Sequence, residues 1–356
     1  MSRPRNASLD LARCWASLGV VAIHVTARVA TMACYTSRAW WFTNLVQSLV
    51  FWAVPFFILT SGYFLLGPPT EESAASFYAN HLSKLGIPLL AWGALYIAME
   101  GAWKADACCR IAKTALLSGN ISYHLYFLVA LLGLHLLTPL LRKALALASG
   151  PVLIGLGCAF LGAMVFDFAA CQLLSQWGQT AGTLPLWFLG YYLVGAGFHR
   201  LTRPQWDHLL PWVPWAVLLG WIADVMGKAL EAMVRQGSIP YYYGNSYFCP
   251  QLVLLSLGLF AWFLHSERLQ GWGKSPVVAP LVELSFGLYL AHVAILQRLQ
   301  AWPTPWNQLT IAGMAMNWLV TVVLSLAIVK VLGSLPLLSR LVGIRSFTVA
   351  KPLVDE

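Results

Sequence analysis

Charged residues are scarce in this chain. Only 10% of its 356 residues are Asp, Glu, Lys or Arg, whereas 59% are hydrophobic, and soluble domains usually carry about 25% charged residues. The mean hydropathy is +0.69. A soluble domain of useful size is therefore excluded, and the composition is that of an integral membrane protein.

Several catalytic and binding motifs are also missing. The sequence has no glycine-rich phosphate loop, no His-Glu-x-x-His, no Gly-x-Ser-x-Gly and no Cys-x-x-Cys or Cys/His pattern, so nothing predicts a metal site. The net charge is +9, but the basic residues are scattered over short segments. That scatter fits membrane topology and anionic lipid headgroups better than a nucleic acid partner.

What is present is a series of apolar stretches, each near the ~20 residues that cross a bilayer. They predict an all-α polytopic membrane protein, a single domain over residues 1–356 with about ten transmembrane helices. The segments are 9–32, 41–66, 82–103, 122–141, 151–169, 184–199, 209–230, 246–265, 278–297 and 309–334. An even count places both termini on one side, and a modest excess of Lys and Arg in the connecting segments of that side predicts that both are cytoplasmic.

The cysteines support the same topology. Five of the seven fall in or beside segments that it places outside: Cys34, Cys108, Cys109, Cys171 and Cys249. An oxidising compartment would explain this grouping and predicts one or two disulfides among them. The alternative is that apolar cysteines fell there by chance.

The first predicted helix carries an unusual polar face. At about 100° per residue, Asn6, Asp10, Arg13, Ser17 and His24 share it, and Arg13 and His24 lie about 20° apart around the axis and about 16 Å apart along it. One interpretation is structural, with Asp10 paired to Arg13 and His24 hydrogen-bonded to a neighbouring helix. The other is that the face lines a cavity, as intramembrane polar groups often do.

Six stretches along the chain form a recognisable series. They are SLDLARCWASLGVVAIHV (8–25), VPFFILTSGYFLL (54–66), LSKLGIPLLAWGALY (82–96), YHLYFLVALLGLHLLTPLLRK (123–143), LPLWFLGYYLVGAGF (184–198) and LSFGLYLAHVAIL (284–296). In this order they resemble the acyltransferase family 3 membrane proteins, whose Arg-x10-His spacing is met by Arg13 and His24. The fourth stretch is similar to the branch containing the O-acetyltransferase of enterobacterial common antigen, with Tyr126 in place of its usual Trp.

The resemblance implies an O-acetyltransferase of the bacterial inner membrane. Such enzymes move an acyl group, usually acetyl from cytoplasmic acetyl-CoA, to a hydroxyl of an envelope glycan or its lipid-linked precursor. Acetyl-CoA is then a donor rather than a permanently bound cofactor. A homo-oligomer is compatible with the sequence, and the resemblance is weakest over residues 200–275.

The predicted chemistry centres on His24. An imidazole titrates near neutral pH, so His24 could accept the acceptor's hydroxyl proton, or it could carry the acetyl group itself as an acyl-imidazole. Arg13 is the second predicted catalytic residue. With Lys84 it is also predicted to bind CoA, because a guanidinium suits phosphate.

Acceptor binding is predicted for a second set of residues. Ser285, Tyr289 and His292 follow one another at spacings of four and three and so share a helix face, and His124 opens the predicted fourth helix. Tyr243, in the stretch IPYYYGNSYF, could stack on a sugar. For the helix-face set, an interhelical hydrogen-bond cluster is an equally weighted alternative.

Two other functions compete with the enzyme. A transporter or flippase of a glycan or small metabolite would also have about ten helices and embedded polar residues. An inactive relative that acts as a structural partner is the third possibility.

Overall fold

The computed structural model describes residues 6–70, 72–99, 122–174, 183–234, 246–302, 304, 306–336 and 338–343. Helices account for the regular structure of these residues. They are α1 (Ala7–Met32), α2 (Arg38–Val50), α3 (Ala53–Leu65), α4 (Ala74–Met99), α5 (Tyr126–Ala144), α6 (Gly150–Leu174), α7 (Leu184–Arg200), α8 (Arg203–Leu209), α9 (Val213–Val234), α10 (Pro250–His265), α11 (Glu267–Gly273), α12 (Val278–Ala301) and α13 (Ile311–Ser334), with 3-10 turns at Leu210–Trp212 and Ser339–Val342.

The predicted class, an all-α polytopic membrane protein, is confirmed. Within the described residues, eight spans are long and apolar enough to cross a membrane, and α10 with α11 makes a ninth if this pair, bent by 74°, counts as one. Helix α7, the sixth predicted segment, has 17 residues, or about 26 Å of rise, and is almost entirely buried in protein. The chain ends lie outside the described residues, so their cytoplasmic position stays a prediction.

The second predicted segment, 41–66, is divided in two at Phe51 and Trp52. Helix α2 ends at Val50 and α3 begins at Ala53. Pro55 explains the break, because proline has no N–H for the carbonyl four residues earlier and its ring clashes with that carbonyl, here the one of Phe51. The two halves still form one span, Arg38–Leu65.

Several basic residues counted as loop residues lie inside helices, which corrects the sequence analysis. Lys84 lies in α4, and Lys228 is buried in α9, where it is paired with Asp224. Helix α9 ends at Val234, four residues beyond the predicted end at 230. Lys84 was counted on the cytoplasmic side and Lys228 on the outer side, so the two corrections together leave the difference in loop charge unchanged.

The predicted disulfides find no support among the described cysteines. Cys34 is exposed after α1, whereas Cys249 is buried directly before α10, and the described cysteine side chains form no disulfide with one another. Cys108, Cys109 and the side chain of Cys171 lie outside the described residues. Bridges that involve them stay predictions.

Helices α3 and α7 are in backbone contact through two glycines. A Cβ on Gly62 would lie 1.9 Å from the carbonyl oxygen of Tyr192, and a Cβ on Gly195 would lie 2.1 Å from that of Leu59. Both distances are far below any van der Waals contact. The Ser-Gly-Tyr stretch of α3 therefore serves close helix packing, which is the small-residue interface common in membrane bundles.

We expect Gly62→Ala to destabilise the protein by at least the 1–3 kcal/mol typical of overpacking. The clash is with backbone, which cannot rotate away. Thermal unfolding in detergent measures the effect, and Gly86→Ala is the control, because a Cβ at Gly86 of α4 meets nothing within 4 Å. Equal unfolding temperatures for the two variants would contradict the close contact.

One arginine closes the ends of two helices. Arg200, the last residue of α7, donates to backbone carbonyls after α3 and after α5, namely those of Leu66, Gly67, Leu145 and Ala148, at 2.7–3.1 Å. Terminal helix carbonyls have no partner within their own helix. Arg200 satisfies them and ties α3, α5 and α7 together at one end of the bundle.

Candidate active site

Helix α1 is the central element of the site. It packs against α2, α3, α10, α11, α12 and α13. The side chain of Asn6 accepts a hydrogen bond from the Leu9 N–H and caps its start, and the hydroxyl of Ser8 donates to the carbonyl of Phe263. The polar face of the helix is therefore anchored at its first turn.

The predicted pair of Asp10 and Arg13 is present at the near end of this face. The Arg13 guanidinium lies 4.0 Å from the Asp10 carboxylate, and the Arg13 side chain is 43% exposed. One turn further on, the Ser17 hydroxyl donates to the Arg13 carbonyl. The ion pair is therefore a long one at a partly exposed side chain. The predicted contact of Arg13 with CoA stays a prediction.

At the other end of the face, three histidines from distant parts of the sequence meet. The ring of His24 is stacked on that of His292 of α12, with centroids 5.2 Å apart and an interplanar angle of 29°. The ring of His124, just before α5, lies 5.3 Å from His292 and 6.4 Å from His24. We call these three residues the histidine cluster.

The hydrogen bonds of His292 define its tautomer. Its Nδ1 lies 2.6 Å from the carbonyl oxygen of Tyr289 and 3.2 Å from that of Leu288. A carbonyl only accepts, so Nδ1 carries the hydrogen and Nε2 of the neutral ring carries the lone pair. His292 is fully buried, and its Nε2 has no hydrogen-bond partner in the described part of the chain.

His124 is held from two sides. Its Nδ1 lies 3.2 Å from the Ser122 hydroxyl, and its backbone carbonyl accepts a hydrogen bond from the hydroxyl of Tyr289. Burial, with smaller contributions from the two neighbouring histidines, lowers the pKa of His124 well below its ordinary value. The imidazole is therefore neutral near pH 7.

Two predicted acceptor-binding hydroxyls make internal bonds. The Tyr289 hydroxyl donates to His124, and the Ser285 hydroxyl donates to the Val282 carbonyl at 2.7 Å. Both side chains are buried. The Tyr289 bond joins two separate parts of the chain, whereas Val282 lies on the same helix as Ser285. Contact of either residue with an acceptor stays a prediction.

Tyr123 belongs to the site but had no predicted role. Its ring lies 5.0 Å from that of His24, and 45% of the residue is exposed, whereas His24 is half-buried. Tyr123 is thus the outermost of the aromatic rings around His24. The stretch YHLYF contains it, but only His124 was assigned a role there.

The remaining predicted residues lie elsewhere. Lys84 is exposed on α4, one turn after His81, whose ring stacks on Phe77 at 4.2 Å and lies 6.1 Å from that of His135. Its helix packs mainly against α5, whereas α1 packs against α2 and α12. Lys84 therefore lies near His81 and His135. Neither histidine was predicted from the sequence to be part of a site. Tyr243 lies outside the described residues.

Among the residues that the structure describes, no three His, Cys, Asp or Glu side chains are arranged to hold a metal ion.

A separate cavity of about 590 Å³ includes none of the predicted site residues. It is lined by apolar side chains, among them Trp15, Trp52, Trp221 and Trp262.

The family comparison agrees with the geometry. The model of the family described as acyltransferase domain matches residues 6–333, which is nearly the whole chain. The chain belongs to acyltransferase family 3. Among curated proteins and among solved structures, none matches it significantly. The matched region includes the whole histidine cluster and Arg13, so the protein is a membrane acyltransferase whose branch within the family stays a prediction.

Proposed function

We propose that this acyltransferase moves acetyl from cytoplasmic acetyl-CoA to a hydroxyl of a cell-envelope glycan or lipid-linked saccharide, in the bacterial inner membrane. The observation that carries the proposal is the histidine cluster on the polar face of α1, with Arg13 about 16 Å away along the same face. One end of this face offers a cation for an anionic donor, and the other offers imidazoles for proton transfer.

The transfer needs one proton to move twice. As the acceptor oxygen attacks the thioester carbon, His24 takes the hydroxyl proton and a tetrahedral oxyanion forms. The intermediate collapses when its carbon–sulfur bond breaks, and the leaving CoA thiolate takes the proton back from His24. The products are the acetyl ester and free CoA thiol, and His24 is neutral again.

The neighbours of His24 fix its position for this cycle. Its ring is stacked on that of His292, and the ring of His124 lies on a second side. A proton-transfer group that is held in place needs little reorganisation when the acceptor binds. The acyl-imidazole route uses the same nucleophilic nitrogen and remains the alternative.

Donor and acceptor would approach from opposite ends of α1. Arg13 and, from α4, Lys84 are the proposed contacts for the phosphates of CoA. On the acceptor side, His124 and His292 are the proposed contacts, with Ser285, Tyr289 and Tyr243 as further candidates. Tyr123, partly exposed beside His24, adds a ring on which a sugar could stack.

The direct test uses the purified protein, acetyl-CoA labelled in its acetyl group, and an envelope glycan extract. We expect label in the glycan fraction. Binding of acetyl-CoA without transfer would contradict the acceptor class. Absence of both, with folded protein, would contradict the donor.

A further inference from the structure

The hydroxyl of a tyrosine of α4 is hydrogen-bonded to two backbone groups of α12. The hydroxyl of Tyr96 donates to the carbonyl of Leu290 at 2.7 Å and accepts from the N–H of Ala294 at 3.1 Å. These two backbone groups are four residues apart, the pair that an α-helix normally joins directly. A side-chain hydroxyl bonded to both members of such a pair competes with their direct bond, and the turn that Tyr96 binds is the one that carries His292.

The same tyrosine also contacts a second member of the histidine cluster. Its ring packs edge-on against that of His124, with centroids 4.9 Å apart and an interplanar angle of 81°. Tyr96 is 1% exposed, so water does not compete for its hydroxyl.

We propose that Tyr96 is a positioning residue of the histidine cluster. Its hydroxyl sets the turn of α12 that presents His292 to His24, and its ring limits the position of His124. It acts through these two residues, because neither its hydroxyl nor its ring contacts His24 in the bonds and ring contacts described. The expected kinetic effect rests on the acyl-transfer function proposed above, whereas the geometric role does not.

The variant Tyr96→Phe removes the hydroxyl and keeps the ring. We expect kcat to fall about tenfold or more, since small displacements of reacting groups are costly, with little change in the KM for acetyl-CoA. Tyr78→Phe is the matched control. Tyr78 lies on the same helix, and its hydroxyl also donates to a backbone carbonyl of a neighbouring helix, that of Leu136 at 2.9 Å. Equal losses of kcat in the two variants would overturn the proposal.

A second readout needs no enzymatic activity. Diethyl pyrocarbonate modifies accessible neutral imidazoles, and the rate at His24 can be followed by peptide mass spectrometry. We expect this rate to change several-fold in Tyr96→Phe and not in Tyr78→Phe. If no acetyl transfer is found in the unaltered protein but the rate changes, the proposed donor or acceptor is wrong and the positioning role stands; an unchanged rate overturns the positioning role.

A third measurement uses the unaltered protein, in case Tyr96→Phe does not fold. The Ala294 amide donates to a side-chain hydroxyl, so we expect it to exchange its hydrogen faster than the amides one turn before and after it in α12. An Ala294 amide as protected as those neighbours would show a direct helical bond and overturn the proposal.

Discussion

His24→Ala is expected to lower acyl transfer by about 10²–10⁴-fold, the range over which a positioned acid–base group contributes. The variant removes the one histidine of the cluster that lies on the same face as Arg13, and it leaves the ends of α1 unchanged. Binding of acetyl-CoA should be retained, because the predicted donor contacts are Arg13 and Lys84. The measurement is the rate of label transfer from acetyl-CoA, with donor binding determined on the same preparation.

The control for this variant is His208→Ala. His208 is an exposed histidine of α8, outside the histidine cluster. It should transfer acetyl at the unaltered rate, and both variants should insert and unfold like the unaltered protein. Transfer by His24→Ala within a factor of two of the control would remove His24 from the mechanism. If the unaltered protein itself transferred no more label than either variant, the result would favour an inactive relative.

The two routes through His24 differ when the acceptor is omitted. An acyl-imidazole would leave labelled acetyl on the protein, and the label would be lost when acceptor is added. A general base would leave none. Rapid acid quenching followed by peptide mass spectrometry therefore separates the two routes in the same preparation.

Much of this architecture could be predicted from the sequence, because apolar length and helical period are local properties. Each predicted segment overlaps a helix of the described residues, although eight or nine rather than ten qualify there as membrane spans. The face shared by Arg13 and His24 follows from helix geometry alone. Pro55 is a local signal for the break after Val50. The residues on both sides of the break are apolar, however, so hydropathy alone predicts one continuous segment.

The convergence of the site could not be predicted in the same way. His24, His124 and His292 are separated by 100 or more residues, and their rings are brought together by tertiary contacts such as the packing of α1 against α12 and the hydrogen bond from Tyr289 to His124. Spacing placed His292 and Tyr289 on one helix face without showing that the tyrosine hydroxyl is used on a backbone carbonyl. The role of Tyr96 could not be predicted for the same reason, because its hydrogen-bond partners, Leu290 and Ala294, lie in another helix.

Lys228 and Asp224 of α9 form a buried ion pair that was not predicted from the sequence. Lys228 was counted as a loop cation, yet its ammonium contacts the Asp224 carboxylate, lies 3.3 Å from the Ser48 hydroxyl and lies 4.6 Å above the ring of Phe51. Asp224 is fully buried and Lys228 is 5% exposed. The four-residue spacing places both charges on one helix face, so the pair enters the bundle as a nearly neutral unit.

Lys228→Met is accordingly expected to cost about 3–5 kcal/mol of unfolding free energy, the usual result of leaving one member of a buried pair without its partner. The double variant Asp224→Leu with Lys228→Met should recover most of that loss, because two charges are removed together and desolvation no longer opposes folding. Chemical unfolding in mixed micelles measures the stability of the unaltered protein and of both variants.

A double variant as unstable as the single one would contradict this explanation. It would mean that the contacts of Lys228 with Ser48 and Phe51 stabilise the protein, rather than the neutrality of the pair. We expect a folded double variant to transfer acetyl at the unaltered rate, because Asp224 and Lys228 lie outside the histidine cluster and contact Ser48 and Phe51.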